Sequence, residues 1–216
     1  MRPVGILGGM GPEATVLLMQ KVLAAVPAAD DADHVPLIVH QNPQVPSRIA
    51  ALIEGTGEDP GPTLRQMARD LKAAGAEALA MPCNTAHHYA PDVADEGLPF
   101  LDMVAATAAR LKGRVGMLAS PAVRKTGVFD TAFATRGIEP VWAEEDALLA
   151  LIRAVKRGGG DGAELRRISE ALAAQGAERL LVACTELSLM SDALEGFDWL
   201  DSLDALTGEI IAFSRG

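Results

Sequence analysis

Short apolar runs alternate with segments of helical periodicity along almost the whole chain. In the first half, the pattern predicts strands at 4–7, 37–40 and 78–81 and helices at 12–26, 62–74 and 104–111. In the second half, it predicts strands at 114–118, 140–142 and 179–183, with helices at 126–136, 146–157, 161–175 and near the C-terminus.

Continuous apolar strands separated by helices are typical of parallel sheets that helices cover on both faces. The sequence therefore predicts an α/β protein of two pseudo-symmetric lobes, each a parallel sheet flanked by helices. Charge and glycine interrupt the pattern at Lys112 and Gly113. This break divides the chain into an N-terminal lobe, residues 1–112, and a C-terminal lobe, residues 113–216, with a C-terminal helix that can cross over onto the first lobe.

An internal repeat supports the two lobes. The stretch LKAAGAEALAMPCNT at 71–85 returns as LAAQGAERLLVACTE at 172–186, which aligns Gly75 with Gly176 and Cys83 with Cys184. Repetition at a fixed spacing indicates a repeated structural unit, and this period is too long for a solenoid. The two halves should therefore place their cysteines at equivalent positions.

The polar segments of the chain point to a site between the lobes. In open parallel sheets, ligands bind beyond the carboxyl ends of the strands. Small or polar residues follow five of the predicted strands, at 8–11, 42–48, 83–85, 120 and 184–186. We expect these segments to line one inter-lobe cleft, which would hold the active site.

Composition excludes some partners. The formal charge of −10 argues against binding to nucleic acid or to an anionic membrane surface, and no apolar run is long enough for a membrane span. The N-terminus shows no signal-peptide arrangement. A cytoplasmic protein is expected, in which two cysteines are free thiols rather than a disulfide.

Each cysteine precedes a polar pair, Asn84-Thr85 in one half and Thr185-Glu186 in the other, that could cap a helix. Helix N-termini favour thiolates and bind carboxylates. The alternative is that both cysteines are small buried apolar residues.

Two thiols on opposite sides of a small molecule suit the inversion of a stereocentre. One thiolate removes a proton from carbon, and the other thiol returns a proton to the opposite face. Donors around the adjacent carboxylate must then stabilise the carbanion. This chemistry requires neither a metal nor another cofactor, and the sequence shows no cluster with metal-ligand spacing.

Four motifs carry a family resemblance: GILGGMGPEAT (5–15), QNPQVPSR (41–48), MPCNTAH (81–87) and ACTEL (183–187). With them, the chain resembles the cofactor-independent aspartate/glutamate racemase family, specifically its aspartate racemase branch. The resemblance implies a homodimer that acts on an acidic amino acid, with Cys83 and Cys184 as the acid/base pair. It also implies substrate contacts from Met10, Arg48, Asn84, Thr85, Lys156 and Thr185, of which Arg48 would bind the distal carboxylate.

The segment after residue 119 departs from this branch. Ala122-Val123 stand where a Gly-Thr pair is frequent, and Phe129 stands where tyrosine is frequent, whereas Thr126 is retained. The departure could give a pocket with a different shape, which puts strict aspartate specificity in question.

Three other functions are compatible with parts of the sequence. Residues 9–14 fit the G-x-G-x-x-A fingerprint of a dinucleotide-binding oxidoreductase, although Pro12 is unusual inside it. A related isomerase or decarboxylase that forms a carbanion at Cα is a second alternative. A non-catalytic relative that only binds its ligand is the third.

Overall fold

The computed structural model describes residues 1–216 and contains two four-stranded sheets in which all neighbouring strands are parallel. The first has the order β2-β1-β3-β4, with β1 Val4–Gly8, β2 Leu37–Gln41, β3 Ala78–Ala80 and β4 Phe100–Leu101. The second has the order β6-β5-β7-β8, with β5 Arg114–Ala119, β6 Glu139–Trp142, β7 Arg179–Ala183 and β8 Trp199–Asp201. The predicted α/β fold class is confirmed, and the two sheets share one topology.

Nine α-helices accompany the sheets: α1 Pro12–Ala24, α2 Gly61–Ala73, α3 Ala90–Ala94, α4 Met103–Ala108, α5 Pro121–Thr126, α6 Asp130–Arg136, α7 Glu145–Val155, α8 Gly162–Ala174 and α9 Ser202–Arg215. Short 3₁₀ segments cover Asp31–Asp33, Thr85–Tyr89 and Leu187–Leu194, and one π-helical turn covers Ala50–Glu54. None of these helices has the length and apolar character needed to cross a membrane.

Helix α2 illustrates why these segments fold as they do. Its buried residues Leu64, Met67, Ala68 and Leu71 recur at the spacing of one helix face, while its other face is polar. This face packs with Leu79 of β3 in a cluster of 14 buried residues. Burial of one face fixes the helix against the first sheet.

Two helices join the halves of the chain. Val104 and Ala108 of α4, from the first half, pack with the core of the second sheet. Leu203 and Leu206 of α9, from the second half, pack with the core of the first sheet. The C-terminal helix therefore does cross over, and α4 makes the reverse exchange. The domain boundary at residue 112 stays a prediction. The first sheet ends before this residue and the second begins after it, but α4 and α9 each pack with the sheet of the other half.

The pattern missed strands β4 and β8 and helices α3 and α5, and it placed the start of one helix too early. Strands β4 and β8 have only two and three residues, and each is followed or ended by an aspartate, so neither resembles an apolar run. The predicted helix at 126–136 corresponds to α6, which begins only at Asp130, because Gly127, with a φ of +63°, ends the preceding helix α5.

The two aspartates form a second repeat that the sequence analysis did not identify. Asp102 caps α4 by accepting hydrogen bonds from the N–H groups of Val104 and Ala105. Asp201 caps α9 and is fully buried, and it accepts further from the Ser188 hydroxyl at 2.9 Å. Burial raises the pKa of Asp201, an effect opposed by the Leu203 N–H and by Lys21, whose ammonium lies 3.5 Å away.

These caps give a matched test of stability. Asp102→Ala should lower the free energy of unfolding by about 1 kcal/mol, as expected for an exposed cap. Asp201→Ala should cost roughly 2–3 kcal/mol, because it also leaves a buried hydroxyl without its acceptor. Asp201→Asn keeps both hydrogen bonds and should lose less. Urea unfolding of the three variants measures these values, and equal losses for the two alanine variants would contradict the assignment.

Candidate active site

The loop after β1 is shaped by close backbone packing. A Cβ at Gly8 would lie 2.5 Å from the Thr15 side chain, and Gly9 has a φ of +94° with Asn42 backbone atoms against it. The Thr15 hydroxyl accepts from the Gly9 N–H and donates to the Gly11 carbonyl. Backbone conformation and packing therefore account for Gly9 of the segment that suggested a dinucleotide-binding fingerprint, whereas a Cβ at Gly11 would make only an ordinary contact, at 3.7 Å from Glu186.

One cavity of about 700 Å³ collects residues that follow strands of both sheets. Of the eight residues that the sequence predicts for the site, six line this cavity: Met10, Arg48, Cys83, Thr85, Lys156 and Cys184. Both cysteines are free thiols, with exposed fractions of 7% and 6%. The two halves of the chain thus each contribute one thiol to the same cavity.

The other two predicted residues lie beside the cavity without lining it. The Asn84 amide donates to the Ser202 hydroxyl at 2.9 Å, and its buried Oδ1 has no partner. The Thr185 hydroxyl donates to the Pro82 carbonyl at 3.3 Å. Both hydrogen bonds connect the two halves of the chain, so these side chains fix the position of one half against the other. Their substrate contacts stay a prediction.

Cys184 has a charged partner. Its thiol donates to Glu186 Oε2 at 3.1 Å, and the other oxygen, Oε1, pairs closely with the Lys156 ammonium. Burial raises the pKa of the Cys184 thiol well above its usual range, and the Glu186 carboxylate raises it further. Lys156 partly opposes this shift.

This arrangement corrects the expectation from the polar pairs after the cysteines. Neither Asn84 nor Glu186 makes a side-chain cap, and each leads into a 3₁₀ segment rather than an α-helix. The expected preference for a thiolate is therefore wrong for Cys184, because burial and a neighbouring carboxylate act against it.

Cys83 has a different neighbour at the equivalent position. The repeat places Thr85 where the second half has Glu186. The Thr85 hydroxyl lies 3.3 Å from the Ser120 hydroxyl, and both groups line the cavity. The residue two positions after Cys83 is therefore a neutral threonine, whereas the residue two positions after Cys184 is a carboxylate in an ion pair.

Arg48 reaches the cavity from the segment after β2. Its Nη1 donates to the carbonyls of Val45 at 3.3 Å and Pro46 at 2.9 Å, which anchor the guanidinium to its own loop. Its Nε is buried and has no hydrogen-bond partner. A guanidinium held in this way still has donors for a carboxylate.

The His87 imidazole is connected by hydrogen bonds to the Cys83 segment and to Met103. Its Nε2 accepts from the Met103 N–H, so Nδ1 carries the proton and donates to the Cys83 carbonyl at 2.9 Å. Burial lowers the pKa of His87 below its ordinary value of 6.5, against the opposing effects of the Cys83 carbonyl and Asp102. The imidazole is therefore a neutral structural group.

The residues that depart from the family pattern lie away from the cavity. Ala122, Val123 and Phe129 are each no more than 2% exposed, and Val123 and Phe129 pack in the core of the second sheet. None of the three lines the cavity. The expectation that they reshape the pocket directly is therefore not supported by their positions.

Four polar lining residues were given no individual role from the sequence: Glu13, Ser47, Ser120 and Glu186. All but Glu13 lie in segments that the sequence predicts to line the cleft. The repeat could have identified two of these residues, because Ser120 follows β5 at the position where Gly9 follows β1, and Glu186 aligns with Thr85. Glu13, in the first turn of α1, has no such feature in the sequence that would have identified it. With these residues the cavity offers two thiols, two cations and two carboxylates.

Comparison with known proteins adds independent information. A family model described as Asp/Glu/Hydantoin racemase matches residues 7–210 of the chain. An aspartate racemase from Picrophilus torridus is similar in structure, with a TM-score of 0.88 and 28% identity over 100% of this chain and 95% of that protein.

Two more distant structures share the fold. An aspartate racemase homologue from Pyrococcus horikoshii has a TM-score of 0.75 at 21% identity, with full coverage of both chains. A glutamate racemase from Bacillus anthracis has a TM-score of 0.71 at 14% identity, covering 99% of this chain and 82% of that protein.

The neutral state of His87 predicts how stability depends on pH. Its pKa is lower in the folded protein than in the unfolded chain, so its contribution is complete above pH 6.5 and is lost as pH falls below that value. The loss can reach about 1.4 kcal/mol per pH unit. His87→Gln should therefore show a shallower decline of unfolding free energy on acidification than the wild type. His88→Gln, at an exposed position, is the control; equal slopes for His87→Gln and the wild type would refute the prediction.

Proposed function

Because the chain belongs to the Asp/Glu/hydantoin racemase family, we propose that it is a racemase that interconverts L- and D-aspartate, or a related acidic amino acid. The reaction follows a two-cysteine, two-base mechanism and uses no cofactor. The observation that carries this proposal is that Cys83 and Cys184, from equivalent places in the two halves, line one cavity.

In the proposed reaction, one cysteine thiolate takes the proton from Cα, and the electron pair left behind is shared with the adjacent carboxylate. The other cysteine, as a thiol, donates a proton to the opposite face of Cα. The two groups exchange roles when the reaction runs in reverse. Thr85 and Ser120 provide hydroxyl donors beside the α-carboxylate, where charge develops in the intermediate.

Charge in the cavity supports an acidic substrate. Arg48 and Lys156 are cations that line the same space, and Arg48 keeps unpaired donors. We propose that Arg48 binds the distal carboxylate and that Lys156 contributes to recognition. The similar aspartate racemase from Picrophilus torridus agrees with aspartate as the substrate. A homodimer and a cytoplasmic location stay predictions.

A related enzyme that uses one cysteine remains the runner-up. Such an enzyme would decarboxylate or isomerise its substrate through the same kind of carbanion. The presence of both thiols in the cavity favours racemisation, since inversion needs an acid and a base on opposite faces.

Substitution of either cysteine tests the mechanism. Cys83→Ser and Cys184→Ser should each reduce racemisation of aspartate by roughly 10²- to 10⁴-fold, because a hydroxyl is a far weaker base than a thiolate. Optical rotation measures the loss of inversion, and circular dichroism checks that the fold is kept. Near-full activity of either variant would exclude the two-base mechanism.

Arg48 can be tested with a pair of substrates that differ in one charge. Arg48→Ala should raise KM for aspartate by roughly 10- to 100-fold, as expected for loss of a charged hydrogen bond. Deuterium exchange at Cα of asparagine, which lacks the distal charge, should change much less. Arg153→Ala removes a cation that pairs with Glu54 outside the cavity lining and serves as the control. Equal effects on the two substrates would remove Arg48 from the distal site.

A further inference from the structure

The two cysteines occupy equivalent places but have unlike surroundings. Position 85 in the first half is threonine, and the equivalent position 186 in the second half is glutamate. The Thr85 hydroxyl is near Ser120, whereas the Glu186 carboxylate contacts the Cys184 thiol directly. The two cysteines proposed as acid and base therefore occupy equivalent positions but have different neighbouring side chains.

Glu186 is held in place by both of its oxygens. Oε1 pairs with the Lys156 ammonium that follows α7, and Oε2 accepts from Cys184 Sγ at 3.1 Å. The Glu186 side chain is only 11% exposed, so water competes little for either contact. The ion pair thereby fixes the orientation that the carboxylate presents to the thiol.

The charged and titratable groups that act on Cys184 come from three segments. Glu186 lies on its own segment, Lys156 follows α7, and Cys83 follows β3 of the other half. A thiol at Cys184 donates a hydrogen bond to Glu186, but a thiolate would face that carboxylate at the same short distance. In a buried site this repulsion strongly favours the neutral form.

We propose, resting on the function proposed above, that Glu186 is a positioning residue that fixes the resting protonation state of the free enzyme. In that state Cys184 is the acid and Cys83 is the base. Lys156 has a second role here, since it holds the Glu186 carboxylate against the thiol. The asymmetry of positions 85 and 186 thus decides which thiol starts each turnover.

The proton balance has a kinetic consequence. In one direction, the Cys83 thiolate gains the Cα proton and the Cys184 thiol loses its own, so turnover leaves Cys83 as the thiol and Cys184 as the thiolate. The resting state returns when a proton moves from Cys83 to Cys184 through solvent. The opposite enantiomer reacts only with the minor form, in which Cys184 is the thiolate.

Thermodynamics constrains how this bias is observed. The two enantiomers have equal free energy, so kcat/KM must be the same in both directions. The enantiomer that needs the minor form should therefore show a higher KM and a kcat higher by the same factor. Removal of the Glu186 charge should bring the two KM values closer together.

Alkylation of the thiols tests the proposal directly. We would measure the rate of modification by iodoacetamide at Cys184 and at Cys83 across a pH series, by mass spectrometry of the two peptides. In Glu186→Gln, the midpoint for Cys184 should fall by about one pH unit or more, which is roughly tenfold more thiolate at a given pH. Glu186→Asp, which keeps the charge, should remain nearer to the wild type.

Glu13→Gln is the matched control, because it removes one carboxylate from the same cavity lining without contact to Cys184. Its Cys184 midpoint should stay at the wild-type value. An unchanged midpoint in Glu186→Gln, or an equal shift in Glu13→Gln, would overturn the proposal. Glu186→Ala should shift the midpoint in the same direction as Glu186→Gln and replaces it if the glutamine variant does not fold.

The two readouts separate this proposal from the function on which it rests. Thiol alkylation needs no turnover, so it tests the Glu186 contact even if the wild type does not racemise aspartate. Absence of racemisation by the wild type would instead refute the proposed function. Convergence of the two KM values in Glu186→Gln supports the kinetic part, and an undiminished difference between them would overturn it.

Discussion

The site depends on the common direction of the strands in each sheet. In a parallel sheet every strand delivers its following residues to the same edge, so segments far apart in sequence meet there. Here the loops after β1, β2 and β3 converge with those after β5 and β7 on one cavity. Cross-lobe hydrogen bonds from Asn84 and Thr185 hold the two edges together. Without this alignment, the repeated cysteines would be two unrelated thiols.

Duplication supplies the pair of thiols, and divergence supplies their unlike surroundings. The backbone topology of the two halves is the same, which places Cys83 and Cys184 at equivalent strand ends. The first half alone contributes Arg48, and the second half alone contributes the pair of Lys156 and Glu186. Under the proposed function, the unsymmetric charges would hold the substrate in one orientation, and the two equivalent thiols would act on opposite faces of Cα.

Much of the fold could be predicted from the sequence, because six strands are apolar runs and the main helices have clear periodicity. Strands β4 and β8 could not, because they are very short and gain their stability from a neighbouring strand. The repeat located both cysteines, and the sequence left open whether Glu186 caps a helix or acts on Cys184, but the contact with Lys156 could not be predicted. Lys156 lies 30 residues away on another element, and only the folded chain brings it to the carboxylate that determines the state of Cys184.

The exchange of helices also governs when the protein can fold during synthesis. Strands β1 and β3 leave the ribosome early, but the face that includes Val4 and Ile6 is covered by α9, which is made after all eight strands. Residues of α1 and α4 cover part of this surface earlier, but the part that α9 covers stays open to aggregation or to chaperones until α9 emerges. The first half therefore cannot complete its core as an independent unit during translation.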